Sequence, residues 1–219
     1  MVWWKGKPVQ LQGARTRWWW VRHARVPVAG RIVYGRADVP CDTSDTATLA
    51  AQARVLPADA VVVTSGLARA EKTLAALGDA GYAYDPAGVL REPDLEERRF
   101  GAWEGLSWDE IESRWPGVTA EFWKNPFTYA PPGGEDHDAH TARVHAAVAR
   151  LTERFPGRDI VSVGHAGSIR AELTAILALS HQAAAAIDLD FLSLTRIDYY
   201  HGELKGIARI VAVNGFHGS

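Results

Sequence analysis

Apolar and polar positions along the chain switch between a short β-type pattern and a helical one. Trp18-Trp19-Trp20-Val21 is an aromatic and β-branched run that reads as a buried strand, residues 60–64 form a second strand and residues 159–163 a third. Between them, residues 46–56 are Ala-rich and helical, closed by Pro57, and residues 67–77 form a second helix ending before Gly78. Ser107 stands three residues before Glu110, the spacing of a capping box, so a short helix is predicted to start there. Val144, Val148, Leu151 and Phe155 fall on one helical face, as do Ile169, Leu173, Ile176 and Leu177 after the third strand. Residues 191–198 and 207–213 read as closing strands around a turn containing Gly202, and residues 126–134 as a loop. This order predicts an α/β fold, a three-layer α/β/α sandwich around a mostly parallel central sheet. In such sheets ligands sit beyond the carboxyl ends of the strands.

Composition narrows the picture. The 219 residues fit one large domain, expected over residues 17–219, with residues 1–16 a loosely held arm. Hydrophobic residues make up 47% and charged residues 23%, which excludes a disordered chain. The net charge of −2 provides no global field for nucleic acid or an anionic membrane, so any anion site must be local. No apolar stretch is long enough for a signal peptide (roughly 7–15 residues) or a membrane span (about 20). Cys41 is the one cysteine, which leaves no intramolecular disulfide or thiolate metal cluster and fits a reducing, cytoplasmic setting. The Trp-rich arm offers an apolar surface on which a homodimer could form.

The expected strand ends carry the chemistry: Arg22-His23 after the first, Thr64-Ser65 with Arg69 after the second, and Gly164-His165 after the third. Arginine offers forked donors suited to phosphate oxygens. A histidine among arginines has its cation disfavoured, so His23 is expected to be neutral, with the free lone pair a nucleophile for phosphorus needs. His165 can donate to a phosphoryl oxygen. Taken singly these residues also suit surface ion pairs or structural hydrogen bonds; the joint pattern is the specific signal.

That pattern resembles the histidine phosphatase superfamily, the phosphoglycerate-mutase-like enzymes, through VRHARV (21–26), YGRADVPCD (34–42), TSGLARAEKT (64–73), LEERRFGAWEG (95–105), PPGGED (131–136) and VGHAGSIR (163–170). The resemblance implies a phosphoglycerate-mutase-like sandwich and a phosphohistidine intermediate. It places His23 as nucleophile, Arg22, Arg69 and His165 as a phosphate clamp, and Glu97 as proton donor, with Glu96 the adjacent rival. Arg36, Ser65 and Ala166 join as phosphate- or substrate-binding positions. A single Glu of raised pKa can protonate the leaving alkoxide and then deprotonate the attacking water. No cofactor or metal is implied, and the expected partner is a small phosphorylated metabolite.

The chain departs from the family pattern where Ala24 replaces a glycine after the histidine, which fits only if its φ is negative. Arg25-Val26 replaces a Glu-Thr pair, removing a hydroxyl, and the Asn found further on in many members has no counterpart in residues 26–30; Arg25 or Arg36 could compensate by charge. Only residues 106–132 lie between Gly105 and Gly133, short beside the insertion of the mutases, and the segment is rich in Trp108, Trp115, Phe122, Trp123, Phe127 and Tyr129. Aromatic walls suit a flat or apolar leaving group, though plain core packing explains them equally well. The expected activity is a histidine acid-phosphatase-type phosphoric monoester hydrolase; a weaker, local likeness is to alpha-ribazole phosphatases.

Other readings stay open: phosphoglycerate-mutase-type transfer, or a phosphoryl-binding module silenced by Ala24 and Val26. Asp136, His137, Asp138, His140 and His145 can also be read as a metal-dependent phosphohydrolase cluster, or as the solvated start of a helix. A cysteine phosphatase is excluded, because Ala47 stands where the arginine six positions after Cys41 should be.

Overall fold

The computed structural model describes residues 2–4, 7–9, 14–28 and 30–215, with backbone alone for residues 2–4 and 7–9. Strands β1 (Val2–Trp4) and β2 (Lys7–Val9) pair antiparallel as a small ribbon of their own. The other described strands, β3 (Arg15–Arg22), β4 (Val61–Thr64), β5 (Leu90–Arg91), β6 (Asp159–Gly164), β7 (Leu194–Tyr200) and β8 (Ala208–Gly215), form one six-stranded sheet in the order β5-β4-β6-β3-β7-β8. Neighbours from β5 to β3 are parallel; β7 runs antiparallel to both β3 and β8.

The tryptophan run shows why the sheet becomes the middle layer. Successive side chains of a strand point to opposite faces. Trp18 and Trp20 therefore face α5 (His137–Arg154) and α6 (Ala166–Leu177), where they pack with Val144, Val148, Ile169 and Leu173. Val21 faces the other way, onto Leu49 of α1 (Thr46–Val55) and Leu74 of α2 (Ala68–Asp79). The Trp18 and Trp20 rings stack at 4.9 Å, and Trp18 Nε1 donates to Thr152 Oγ1 at 2.8 Å. The three-layer sandwich is thus present.

A third, smaller core lies above the sheet's carboxyl edge. Trp103, Ile111 and Phe122 are buried there between α3 (Trp108–Arg114) and α4 (Val118–Lys124). The expected capping box opens α3: Ser107 N donates to Glu110 Oε2 at 2.8 Å and Glu110 N to Ser107 Oγ at 3.3 Å.

The differences from the sequence reading are local. The first strand takes in Arg15 and Thr16, residues the sequence reading places in the arm; Thr16 is fully buried and donates to Phe155 O at 2.9 Å. Residues 1, 5, 6 and 10–13 of that arm lie outside the described residues. The helix after β6 stops at Leu177 because Ala178 turns left-handed (φ 50°), and Ser180 then caps a short α7 (His181–Ala185). The strand expected from residue 191 starts at Leu194, after Leu192 takes φ 58°. Among the described residues no helix is long and apolar enough to cross a membrane.

Candidate active site

The parallel ladder brings the strand ends together. Arg22 pairs with Gly164, and Thr64 with Val163. His23 and His165 each follow the first of these pairs and Ser65 the second, so three separate motifs meet at one edge. His23 N donates to Gly164 O at 2.9 Å, and the two imidazole centroids lie 5.3 Å apart.

His23 is 1% exposed. Its Nδ1 lies 2.7 Å from Ala24 O, and since a carbonyl only accepts, Nδ1 carries the proton and Nε2 keeps its lone pair. Burial, reinforced by the charges of Arg69 and Arg22, pushes the ring's pKa down to about 3. The expected neutral imidazole is what the surroundings enforce.

His165 is oriented by similar logic. Ser65 Oγ accepts from Leu67 N at 3.3 Å and lies 2.8 Å from His165 Nε2. Where the Ser65 hydroxyl proton goes to Nε2, the ring proton stands on Nδ1, a buried atom without a hydrogen-bond partner. Burial holds this ring neutral too.

Arg69 is fully buried, donating from Nη1 to Ala37 O at 2.9 Å and from Nη2 to Gly35 O at 2.5 Å, with Nε unpartnered. The YGRAD segment is therefore a backbone cradle for this guanidinium. Arg22 lies 3.7 Å over the Phe191 ring and donates to Leu189 O, with Tyr34 beside it in the cleft wall. Burial lowers the proton affinity of both guanidinium groups, opposed by Tyr34 and Glu97.

Glu97 and Glu96 separate clearly. Glu96 is ion-paired to Arg36. Glu97 turns inward, where Oε1 accepts from Arg98 N at 2.8 Å and Oε2 from Gly167 N at 3.1 Å. One expectation is corrected here: the Glu97 carboxyl lies below its ordinary range, not above it. Burial favours the neutral acid, but the neighbouring His140, the two backbone N–H donors and Arg69 together outweigh it.

Other positions are also sorted. Arg36 does not line the cleft, because its guanidinium is held by Glu96 and donates to Pro93 O at 3.3 Å. Arg25 is exposed and pairs through its backbone with Asp42. Neither offers the charge compensation expected of it. Positive φ among described non-glycine residues is confined to Ala178, Leu192 and Asn214, so Ala24 carries its Cβ without strain, fully buried and donating to Thr73 Oγ1 at 2.9 Å. Ala166 lines the cleft at the start of α6. Of the histidines of the metal reading, His137 packs on Phe127 and His181 and lines the cleft together with His140, whereas His145 turns away, its Nδ1 3.1 Å from Glu172. Asp136 caps α5. No group of three or more metal-ligating side chains converges among the described residues.

Above this floor opens a cleft of about 410 Å³, lined by Arg22, Tyr34, Glu97, His140 and Arg170 on the polar side and by Phe100, Trp108 and Trp123 on the other. Phe122 belongs to the same wall, Trp103 packs behind it, and Trp123 is 61% exposed. Tyr34, Arg170, Phe191 and His140 were missed as site residues. Tyr34 and Arg170 lay within motifs that carried the resemblance; Phe191 had no signal beyond its apolar character, and His140 was read toward a metal.

The parallel strand ends thus bring two neutral imidazoles and two arginines to one edge of the sheet. Residues 18–210 match the histidine phosphatase superfamily (branch 1), and the chain belongs to that family. Mycobacterial glucosyl-3-phosphoglycerate phosphatase Rv2419c superposes with a TM-score of 0.74 at 26% identity, covering 92% of this chain and 100% of that one. The alpha-ribazole phosphatase from Shigella flexneri shares the fold, with a TM-score of 0.74 at 21% identity over 91% of this chain and 96% of its own. The 2,3-bisphosphoglycerate-dependent phosphoglycerate mutase of Methylobacterium radiotolerans is 36% identical over 114 residues, 51% of this chain and 53% of that protein. The chain thus spans about half the length of that curated relative.

Proposed function

We infer that the chain is a metal-independent phosphomonoesterase acting on a small phosphorylated metabolite through phosphohistidine. The observation that carries this reading is the buried His23 ring, with its proton fixed on Nδ1 and its lone pair on Nε2, between Arg22, Arg69 and His165. In the first transfer Nε2 bonds to phosphorus as the ester P–O bond breaks, and Glu97 gives its proton to the leaving oxygen. In the second, a water oxygen bonds to phosphorus, its proton passes to Glu97, and the P–N bond breaks. The arginines and His165 Nδ1–H hold the equatorial oxygens, so positioning and fixed charge supply most of the rate.

Because Glu97 is held toward its ionised form in the empty site, the acid form must be favoured by the arriving phosphate. A dianion beside the carboxyl raises its proton affinity. The substrate therefore helps set its own general acid.

The aromatic wall of Phe100, Trp108 and Trp123 supports a leaving group with a flat or apolar face. A mutase reading draws on the phosphoglycerate mutase likeness, whereas the full-length superposition on a phosphatase supports hydrolysis. A panel of phosphomonoesters, including phosphoglycerates, a glycosylated phosphoglycerate and alpha-ribazole phosphate, assayed with and without chelator, separates these. Release of inorganic phosphate, undiminished by chelator and fastest with aromatic leaving groups, is expected. Phosphoglycerate isomerisation without phosphate release, or activity restored only by metal, would overturn the reading.

Gly167 gives a second check. A Cβ there would fall 1.8 Å from Glu97 Oε1, the free end of a side chain, so Gly167→Ala should displace the carboxylate while leaving the backbone in place. Since general acids contribute typically 10²–10⁴-fold, kcat/KM on alkyl phosphates should drop by at least about tenfold with the thermal midpoint nearly unchanged. Unchanged kcat/KM would remove Glu97 from the proposed role.

A further inference from the structure

A side chamber of about 270 Å³ adjoins the cleft and has no part in the mechanism above. It lies among α5, α6 and α7, and His137, Gly167 and Arg170 line both cavities. That shared rim stands where the leaving group begins. Gly167 N donates to Glu97 Oε2 at 3.1 Å, and Glu97 is the carboxyl assigned to the leaving oxygen. A group bonded to that oxygen can run along the aromatic wall or past Arg170 toward the chamber.

Arg170 stands three residues after Gly167 on α6, so the two share a face of the helix. Its Nε donates to Ile187 O at 2.9 Å, which fixes the guanidinium and leaves both Nη groups without a hydrogen bond or an ion pair among the described residues. Among those residues Glu97 is the one carboxylate in the cleft lining, and the chamber lining has none. The Glu97 oxygens accept from the N–H groups of Arg98 and Gly167. Arg98, which also lines the cleft, is spent on the carbonyls of Glu135, Pro126 and Tyr129. The transferring phosphoryl group answers to Arg22 and Arg69. Arg170 is thus a fixed positive charge left over at the leaving-group side, and charge of one sign held in a cleft draws in a ligand of the other.

The neighbouring rings decide which anion fits. His137 packs on His181 with centroids 5.3 Å apart and on Phe127 at 5.1 Å. Burial pushes the His137 ring down to about 3, so it brings hydrogen-bonding capacity and no charge. His181 Nε2 lies 2.7 Å from Asp138 Oδ1 and is already matched. One unmatched positive charge balances one negative charge, as on a carboxylate, whereas a second phosphate dianion needs two. The paired Nη groups also suit the two oxygens of a carboxylate, a fit that a single ammonium lacks.

Resting on the phosphohistidine reading, we propose that Arg170 is a specificity-determining residue that binds a carboxylate on the leaving group. The favoured substrates are then phosphate monoesters of hydroxy acids, with the carboxylate on Arg170 and any flat or apolar face on the wall of Phe100, Trp108 and Trp123.

The test measures kcat/KM for 3- and 4-carboxyphenyl phosphate against their neutral carbamoyl counterparts, with the unsubstituted protein, Arg170→Gln and Arg170→Lys. Within each variant the ratio of the two esters is independent of how much protein is folded. The unsubstituted protein should favour at least one carboxylate by at least about tenfold, the scale of a hydrogen bond to a charged group. Arg170→Gln should bring that ratio close to one, and Arg170→Lys should keep part of it. No preference in the unsubstituted protein, or a preference that Arg170→Gln retains, would overturn the proposal and leave the phosphohistidine reading intact. Equal losses on both esters would do the same, by placing Arg170 on the phosphoryl group. A phenylene bisphosphate is the third arm: a larger dependence on Arg170 for it than for the carboxylates would make the second anion a phosphate and reject the carboxylate. If the unsubstituted protein hydrolyses none of these esters and His23 takes up no phosphoryl group, the phosphohistidine reading falls and the proposal with it.

Discussion

His23→Ala is expected to lower kcat/KM on any accepted ester by at least about a thousandfold, because removal of a nucleophile commonly costs several orders of magnitude. No neighbouring group can replace it. The neighbouring His165 has its Nε2 already engaged with Ser65 Oγ at 2.8 Å. The pH behaviour follows from the surroundings of His23. Its pKa lies near 3, lowered from 6.5 mainly by burial, so the neutral form persists as pH falls through the ordinary imidazole range. Titration of this ring should therefore leave no step in the kcat/KM profile at the usual histidine value. Steady-state kinetics with a parallel thermal melt checks both points, and a folded variant that keeps a tenth of the activity would reject the nucleophile.

Glu97→Gln should cost about 10²–10⁴-fold in kcat/KM on alkyl phosphates, the span of a general acid, and far less on p-nitrophenyl phosphate. Affinity for inorganic phosphate should change little, since the arginines and His165 remain. Glu96→Gln is the matched control: Glu96 is tied to Arg36 at the loop surface, so the variant should stay near the parent on both esters. The reverse ranking would move the proton donor by one residue.

The contrast between these two carboxylates shows what the sequence made legible. Strand ends carrying Arg22-His23, Ser65 and Gly164-His165 could be placed together because parallel strands in register align whatever follows them. The run of three tryptophans and a valine likewise announced a strand buried on both faces, since only a middle layer can hide Trp18, Trp20 and Val21 at once. Side-chain direction in irregular backbone is another matter. Residues 96 and 97 follow a short 3₁₀ turn, and which one faces inward depends on Arg36 and Gly167, 60 and 70 positions away in opposite directions along the chain.

Electrostatics was legible where burial and like charge act together, as at His23, and misread where they oppose, as at Glu97. The acid and base role called for a raised carboxyl pKa; His140, the N–H donors of Arg98 and Gly167, and Arg69 reverse the balance, and only the fold brings them together. The Arg22–Phe191 stack was hidden for a similar reason. It depends on the left-handed turn at Leu192, a conformation rarely expected of a leucine, held by Leu192 N donating to Arg22 O at 3.1 Å and by Gln52 donating to Leu192 O. His140 lay in a run of acidic and imidazole residues at a helix start, where spacing along the chain does not reveal which side chain turns into the cleft.

The most direct measurement is a rapid-quench experiment on Glu97→Gln with p-nitrophenyl phosphate, followed by peptide mass spectrometry under alkaline conditions. This ester needs no proton to form the phosphoenzyme, whereas its hydrolysis needs the missing carboxylate, so the intermediate should accumulate. A stoichiometric burst of p-nitrophenolate, with the phosphoryl group on His23, is the expected result. Phosphate released in step with p-nitrophenolate while His23 stays unmodified, or a phosphoryl group on any other residue, would contradict it.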